Sequence, residues 1–337
     1  MARADRRARA RRHARVPVRH VLLRDLLRSE LDVPTRLEFD EARARWRELA
    51  REDAGLGPIA AFHDERLAAL SAATPPDIAL DLGPDAATEA IAAGRPLLGV
   101  GALTCETAEV AAELRRLAHN LSETSVEGSA GQRTAERLAT EELDAGPLLE
   151  DALNGDTDAI ARAATAGGYD PAAFAQLLEL ALQPVLWEAA ARCAVLTDVD
   201  KWDRGYCPVC GSWPALAELV GAQKRRVLRC GRCGTWWSWL VLLCPYCGND
   251  DHRALGTLSS DDSRDRVDIC QHCHGYVKSI ATFDSVPTAR LAAEDAATVH
   301  LDVGAREAGY TRPGTVDVAT AGIPRLVREG RARAGGD

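Results

Sequence analysis

Four Cys-x-x-Cys pairs crowd one stretch of the chain: Cys207-Pro-Val-Cys210, Cys230-Gly-Arg-Cys233, Cys244-Pro-Tyr-Cys247 and Cys270-Gln-His-Cys273. Two intervening residues let both sulfurs of a pair face one ion while the backbone N–H groups of the turn point at the thiolates. Gly follows Cys210, Cys233 and Cys247, the residue such a turn favours when its backbone must take positive φ. His274 occupies that place in the fourth pair, so its knuckle is expected to differ in backbone. Nineteen residues separate the first two pairs, twenty-two the last two, and only ten the middle two. The long gaps suit a hairpin that returns one knuckle to face another, and the short gap suits a strand between two sites. The expected ligand sets are therefore Cys207, Cys210, Cys230 and Cys233 for one ion, and Cys244, Cys247, Cys270 and Cys273 for a second.

Four thiolates close a tetrahedron and leave no position for water or substrate, which excludes a hydrolytic centre. Ligand count does not separate zinc from iron, because both accept four sulfurs. A disulfide framework belongs to small secreted chains, and no secretory apolar segment follows the arginines at the start of this one. His272 and His274 flank Cys273; with four cysteines present they are read as neighbours of the second site, ligation being the alternative. Cys105 and Cys193 are expected as packing thiols within helices.

Lys224, Arg225, Arg226, Arg229 and Arg232 lie within or beside the loop of the first site. They are read as offsetting thiolate charge rather than as a phosphate-binding surface. Residues 200–280 hold eleven Lys or Arg against nine Asp or Glu, a balance that thiolates and divalent ions turn slightly negative. The whole chain has net charge −9 and a pI near 5.5, which argues against a general nucleic-acid binder. No Ser–His–Asp set, phosphate loop or His-Glu-x-x-His helix is present, so the expectation is a non-enzyme.

The remaining sequence must position these sulfurs. From about Leu37 to Val195 it reads as helices, with apolar residues three and four apart in Leu37–Ala50 and Ile59–Leu70. Asp85 is expected to cap a short helix ending at Gly94. Further helices are expected over Gly101–Leu121 and Gly146–Ala164, separated by the connection Ser122–Gln132. Asp170-Pro171 marks a helix start, an acidic cap with proline where its missing N–H costs nothing. From Gly205 to about Phe283 short β-rich runs alternate with cysteine turns, including Val227–Arg229 and Trp236–Leu242, where Trp237 and Trp239 are expected to share a buried face. Thr288–Ala308 returns to helix. Met1–Arg24 holds nine Arg and one acidic residue, Asp5, and is expected to be a solvated extension. No run reaches the length of a membrane span, so the expectation is a soluble protein not exported by its own signal.

The cysteine segments resemble the formate dehydrogenase accessory protein FdhE family. The resemblance rests on Tyr206-Cys-Pro-Val-Cys-Gly-Ser-Trp-Pro214, Arg229-Cys-Gly-Arg-Cys-Gly-Thr-Trp-Trp237, Cys244-Pro-Tyr-Cys-Gly248 and Cys270-Gln-His-Cys-His-Gly-Tyr-Val-Lys278. Arg45–Ala50 and Ala308-Gly-Tyr310 add to it. It spans roughly residues 36–312, most clearly over the cysteine pairs. It implies an α+β multidomain fold: an irregular helical N-terminal domain, two tandem rubredoxin-like or zinc-ribbon modules, and a C-terminal helix. The expected division is a disordered extension over 1–35, helices over 36–200, ribbons over 201–285, a helix over 286–312 and a tail over 313–337. It also implies two bound metals, iron rather than zinc, and cytoplasmic action on the catalytic subunit of a molybdenum or tungsten formate dehydrogenase before that enzyme is complete. The alternatives are a zinc-ribbon nucleic-acid module and a rubredoxin-like electron carrier. Replacing Cys207 and Cys210 by Ser is expected to release one metal and leave the helical half folded.

Overall fold

A computed structural model describes residues 33–140, 145–259, 265–313 and 325–326. The arginine-rich start and nearly all of the tail lie outside the described residues. The first helix, α1 (Arg36–Glu52), opens with a reciprocal cap: the Thr35 hydroxyl accepts from Glu38 N, and the Glu38 carboxylate accepts from Thr35 N at 2.6 Å. Its buried face, Phe39, Ala42, Trp46 and Leu49, has helical spacing. That face packs on Ala60 and Leu67 of α2 (Gly57–Ala72) and on Trp187.

A short antiparallel pair follows, β1 (Ile78–Asp81) with β2 (Ala102–Cys105), where helix was expected from Gly101. Alternating burial along β2 gives it a strand's two faces, so Cys105 is a strand residue and the next helix starts only at Thr107. Between the strands lies α3 (Pro84–Ala92), capped by Gly83 with Pro84 at its first position; Asp85 sits inside the first turn and is not the cap. Then come α4 (Thr107–Thr124), α5 (Ala130–Thr140), α6 (Ala145–Asn154) and α7 (Thr157–Gly167). The α5 helix occupies sequence expected partly as a connection. A single helix over Gly146–Ala164 is broken by Gly155, at φ +69°, and restarted by the Asp156 cap. Asp170 caps the central helix α8 (Pro171–Ala194), whose carboxylate accepts from Ala173 N at 2.9 Å. Its buried residues, from Phe174 to Cys193, occupy most of its circumference.

The cysteine region forms one sheet of six strands in the order β5-β4-β3-β8-β7-β6. Its first ribbon is β3 (Leu216–Val220), β4 (Arg225–Arg229) and β5 (Trp236–Ser238); its second is β6 (Leu255–Leu258), β7 (Arg266–Cys270) and β8 (Tyr276–Thr282). Parallel pairing of β3 with β8, Ala217 opposite Ser279, fuses the two ribbons. The expected strand to Leu242 ends at Ser238, because the Arg226 guanidinium draws the Leu240 and Leu243 carbonyls into a turn at 3.3 Å each. Trp237 is buried and Trp239 is half-buried on the same core. Two helices, α9 (Leu291–Ala297) and α10 (Val299–Glu307), replace the continuous helix expected after Pro287, with buried Thr298 at their junction. A last pair of residues, β9 (Arg325–Leu326), lies parallel to β2.

The main hydrophobic cluster runs through α4 and α8 into the first ribbon and takes in Leu228, Trp237 and all four cysteines of the first site. Buried charges then tie strand to strand. Glu218 on β3 and Arg229 on β4, both 0% exposed, form an ion pair. Glu218 also accepts from Val286 N at 3.0 Å, and Arg229 donates to Val286 O at 2.7 Å. Arg226 reaches across the sheet to Asp268 of β7 at 3.1 Å. Lys278 on β8, wholly buried, holds Asp295 at 2.7 Å and Asp302 at 2.6 Å, fastening the C-terminal helices to the second ribbon. Among the described residues no helix is long and apolar enough to cross a membrane.

Candidate metal centres

All four pairs fold into one knuckle. The N–H of the first cysteine donates to the carbonyl five residues on: Cys207 to Ser212, Cys230 to Thr235, Cys244 to Asn249 and Cys270 to Gly275, at 2.8–3.0 Å. This closure needs a left-handed residue after the second cysteine. Gly211, Gly234 and Gly248 supply it at φ +78°, +75° and +69°. His274 supplies it at φ +55°, so the fourth knuckle keeps the backbone of the others and the expected difference does not arise. The His274 ring instead packs on Tyr310 with centroids 6.0 Å apart. It stands beside the knuckle as a backbone element, and the exposed side chains of His272 and His252 belong to neither four-sulfur group.

The structure brings Cys207, Cys210, Cys230 and Cys233 together, and separately Cys244, Cys247, Cys270 and Cys273, with the sulfurs of each set within 4.8 Å of one another. Sulfurs at about 2.3 Å from a tetrahedral ion stand about 3.8 Å apart. The closest separations are 3.4 Å (Cys210–Cys230) and 3.5 Å (Cys207–Cys233) in the first set. In the second they are 3.7 Å (Cys244–Cys273) and 3.8 Å (Cys247–Cys270). Both sets therefore fit one ion of zinc or ferrous size, and each could hold one.

Within each set the sulfurs are not equivalent: Cys210 and Cys270 are lowered, whereas Cys207, Cys230, Cys244 and Cys273 are raised. Val209 N points at the Cys207 sulfur at 3.4 Å. Against the opposing effect of burial, the N–H groups of Cys273 and His272 lower the Cys270 thiol. In the first set burial raises Cys207 well above the usual thiol range, whereas hydrogen bonds from the neighbouring cysteines hold Cys210 well below it. Burial raises the isolated thiols as well, Cys105 up to about 11 and Cys193 up to about 12, and both stay protonated packing groups.

The sites differ in support. The first is enclosed, its four cysteines all buried. Leu97 N and Leu98 N donate to Pro208 O and Val209 O at 2.9 and 3.0 Å, so the helical half holds the first knuckle by its backbone. The second knuckle is held by Gln183 Nε2 on Gly231 O at 2.9 Å, and by Arg232 on Glu179 at 2.6 Å and Ala152 O at 2.7 Å. The second site is peripheral, with Cys247 and Cys273 exposed. Gly205 leans against the third knuckle so closely that a Cβ there would lie 1.7 Å from Pro245 O. Trp213 joins the sites edge to face, 5.9 Å from Tyr206 and 5.3 Å from Tyr246.

The basic run does not act as one group. Arg232 lies half-buried beside the first site; against the opposing effect of burial, it is held above the usual guanidinium value by Glu179 and the Cys210 thiolate. Arg226 and Arg229 are buried against carboxylates, so they offset Asp268 and Glu218 rather than sulfur, and Arg226 offers no charge to a phosphate backbone. Sequence spacing alone did not reveal these pairings, since each partner lies on a different strand.

Residues 242–318 match the family described as FdhE, C-terminal domain. A protein named Protein FdhE homolog from Aquifex aeolicus is 33% identical over 136 residues, 39% of this chain and 47% of that protein. One of the same name from Shewanella baltica strain OS185 is 32% identical over 106 residues, 31% of this chain and 35% of that protein. The chain thus aligns over less than half the length of these curated relatives. The crystal structure of the FdhE protein from Pseudomonas aeruginosa shares the fold, with a TM-score of 0.53 at 23% identity over 83% of this chain and 95% of that one. Residues 242–318 thus resemble the FdhE C-terminal domain, and the described chain shares the fold of an FdhE protein.

Proposed function

We propose that this protein is an accessory factor that acts in the cytoplasm on the catalytic subunit of a formate dehydrogenase during its maturation, and is not itself an enzyme. Each four-cysteine set holds one metal ion, iron or zinc, through Cys207, Cys210, Cys230 and Cys233 and through Cys244, Cys247, Cys270 and Cys273. The observation that carries the reading is the FdhE C-terminal domain over residues 242–318, which includes the second cysteine set. Four-sulfur closure supports a non-catalytic role, because it leaves no coordination position for a substrate. A bound ion would supply folding energy to ribbons with little core of their own, and iron would add one-electron chemistry.

The test is capture of tagged protein from its host, with formate oxidation measured in a deletion strain. Co-purification of a formate dehydrogenase catalytic subunit and loss of formate oxidation are expected. Absence of that subunit together with unchanged oxidation would sink the proposal. Exposure of Cys247 and Cys273 favours one second reading, an electron carrier of rubredoxin type. It requires visible absorption that bleaches reversibly, and stoichiometric zinc in colourless protein purified without oxygen removes it.

A further inference from the structure

Where α1, α2 and α8 meet the first ribbon and the C-terminal helices, there is a cavity of about 730 Å³. That is the size of a small-molecule site. Ile59, Phe62, Leu177, Leu180 and Val299 give it largely apolar walls. Two acidic residues reach it, Asp295 and Asp302, and both are already neutralised by Lys278 and Arg312 at 2.6–3.4 Å. His63 adds no second cation, because burial pushes it down to about 3.

Arg66 is different. It lines the cavity, is 2% exposed, and has no carboxylate within ion-pair distance among the described residues. Glu113, whose charge acts favourably on it, is held by Arg116 at 2.6 Å. Burial lowers the Arg66 guanidinium to about 10, which leaves it charged at neutral pH. A buried cation without an anion is costly, so a cavity built around one points to an anionic guest.

The fold positions this charge deliberately. Pro184 lies inside α8 and has no N–H for the carbonyl four residues back. That freed carbonyl, Leu180 O, accepts from Arg66 Nη2 at 3.2 Å, and Gln183 Oε1 accepts from the same nitrogen at 2.8 Å. The guanidinium is thereby held over the Trp187 ring at 5.8 Å. Among the described residues Arg66 Nε has no hydrogen-bond partner, and neither do the buried indole nitrogens of Trp46 and Trp187, two further residues of the cavity wall.

We propose that this cavity binds an organic monocarboxylate, a small acid with an apolar body whose carboxylate meets Arg66. One unmatched cation calls for one negative charge. A phosphate monoester would bring a second charge into apolar walls with nothing to meet it. The site stands independently of the function proposed above.

The test is calorimetric titration of the full-length, metal-loaded protein with 2-naphthoate and, separately, with its neutral counterpart 2-naphthamide. Naphthoate is expected to saturate one site per chain, at least roughly tenfold tighter than the amide. Arg66→Met should abolish that preference, Arg66→Lys should keep part of it, and Ala296→Trp, which fills the cavity, should abolish binding. Equal affinity for acid and amide, no saturation at millimolar naphthoate, tighter binding of inorganic phosphate, or undiminished binding in Ala296→Trp would each overturn the proposal. The acid–amide comparison uses unaltered protein, so it decides even where a variant fails to fold.

Discussion

The two metal sites should not respond alike to loss of their ligands. Replacing Cys207 and Cys210 by Ser removes half of a site whose four sulfurs belong to the main hydrophobic cluster. A structural zinc contributes on the order of 10–16 kcal/mol, and a whole domain is stable by only about 5–15 kcal/mol. The knuckle backbones are bonded to Leu97, Leu98 and Gln183 of the helical half, so a local loss of that size propagates. The expected result is loss of amide-exchange protection in α4 and α8 as well as in β3–β5, with release of both metals. Replacing Cys244 and Cys247 instead should release one metal and free only the second ribbon and its knuckles, because Cys247 and Cys273 already face solvent. The assay is elemental analysis of each purified variant with hydrogen exchange read by mass spectrometry. Unchanged protection of α8 in the Cys207/Cys210 variant, or release of a single metal from it, would refute this reasoning and restore the simpler expectation of independent ribbons.

Glu218→Gln leaves the buried Arg229 without its carboxylate and should destabilise the protein by about 3–5 kcal/mol in urea unfolding; a change under about 1 kcal/mol would show that the pair matters little. His63, ordinarily near 6.5 but pushed to about 3 by burial, stays neutral in the fold while the unfolded chain takes up a proton. Stability is therefore full above pH 6.5 and falls as pH drops toward 3, by about 1.4 kcal/mol between pH 7.5 and 5.5. His63→Phe should remove that increment, measured as the difference between the two proteins' denaturation curves, and identical pH slopes would refute it. His274→Gly relieves a left-handed histidine and should raise stability by up to about 1 kcal/mol without changing metal stoichiometry. A fall in melting temperature would mean that the ring contact with Tyr310 outweighs the strain.

The knuckles were legible because they are local. Two-residue spacing and the glycine after the second cysteine encode a turn that closes within six residues, and the gaps between pairs group the sulfurs without reference to the rest of the chain. The Asp170-Pro171 start was legible for the same reason. The strands β1 and β2 were not, since four residues such as Ala102–Cys105 carry too little periodicity to be told from the helix that follows them; only pairing with Ile78–Asp81 makes them strands. His274 misled in the other direction, because residue type suggested a changed turn where the surrounding hydrogen bonds impose the common one.

By itself the sequence determined which sulfurs lie together, since that grouping follows from short-range spacing. Tertiary structure alone decided how unequal the sites are. The β3–β8 pairing, the reach of Arg226 to Asp268 and the clamp of Leu97 and Leu98 on the first knuckle join residues far apart in the chain. So does the unmatched charge of Arg66, which rests on a carbonyl that Pro184 leaves free and, among the described residues, on having no ion-pair partner. Burial and partnering are properties of packed neighbours, and no spacing rule along one chain can state them.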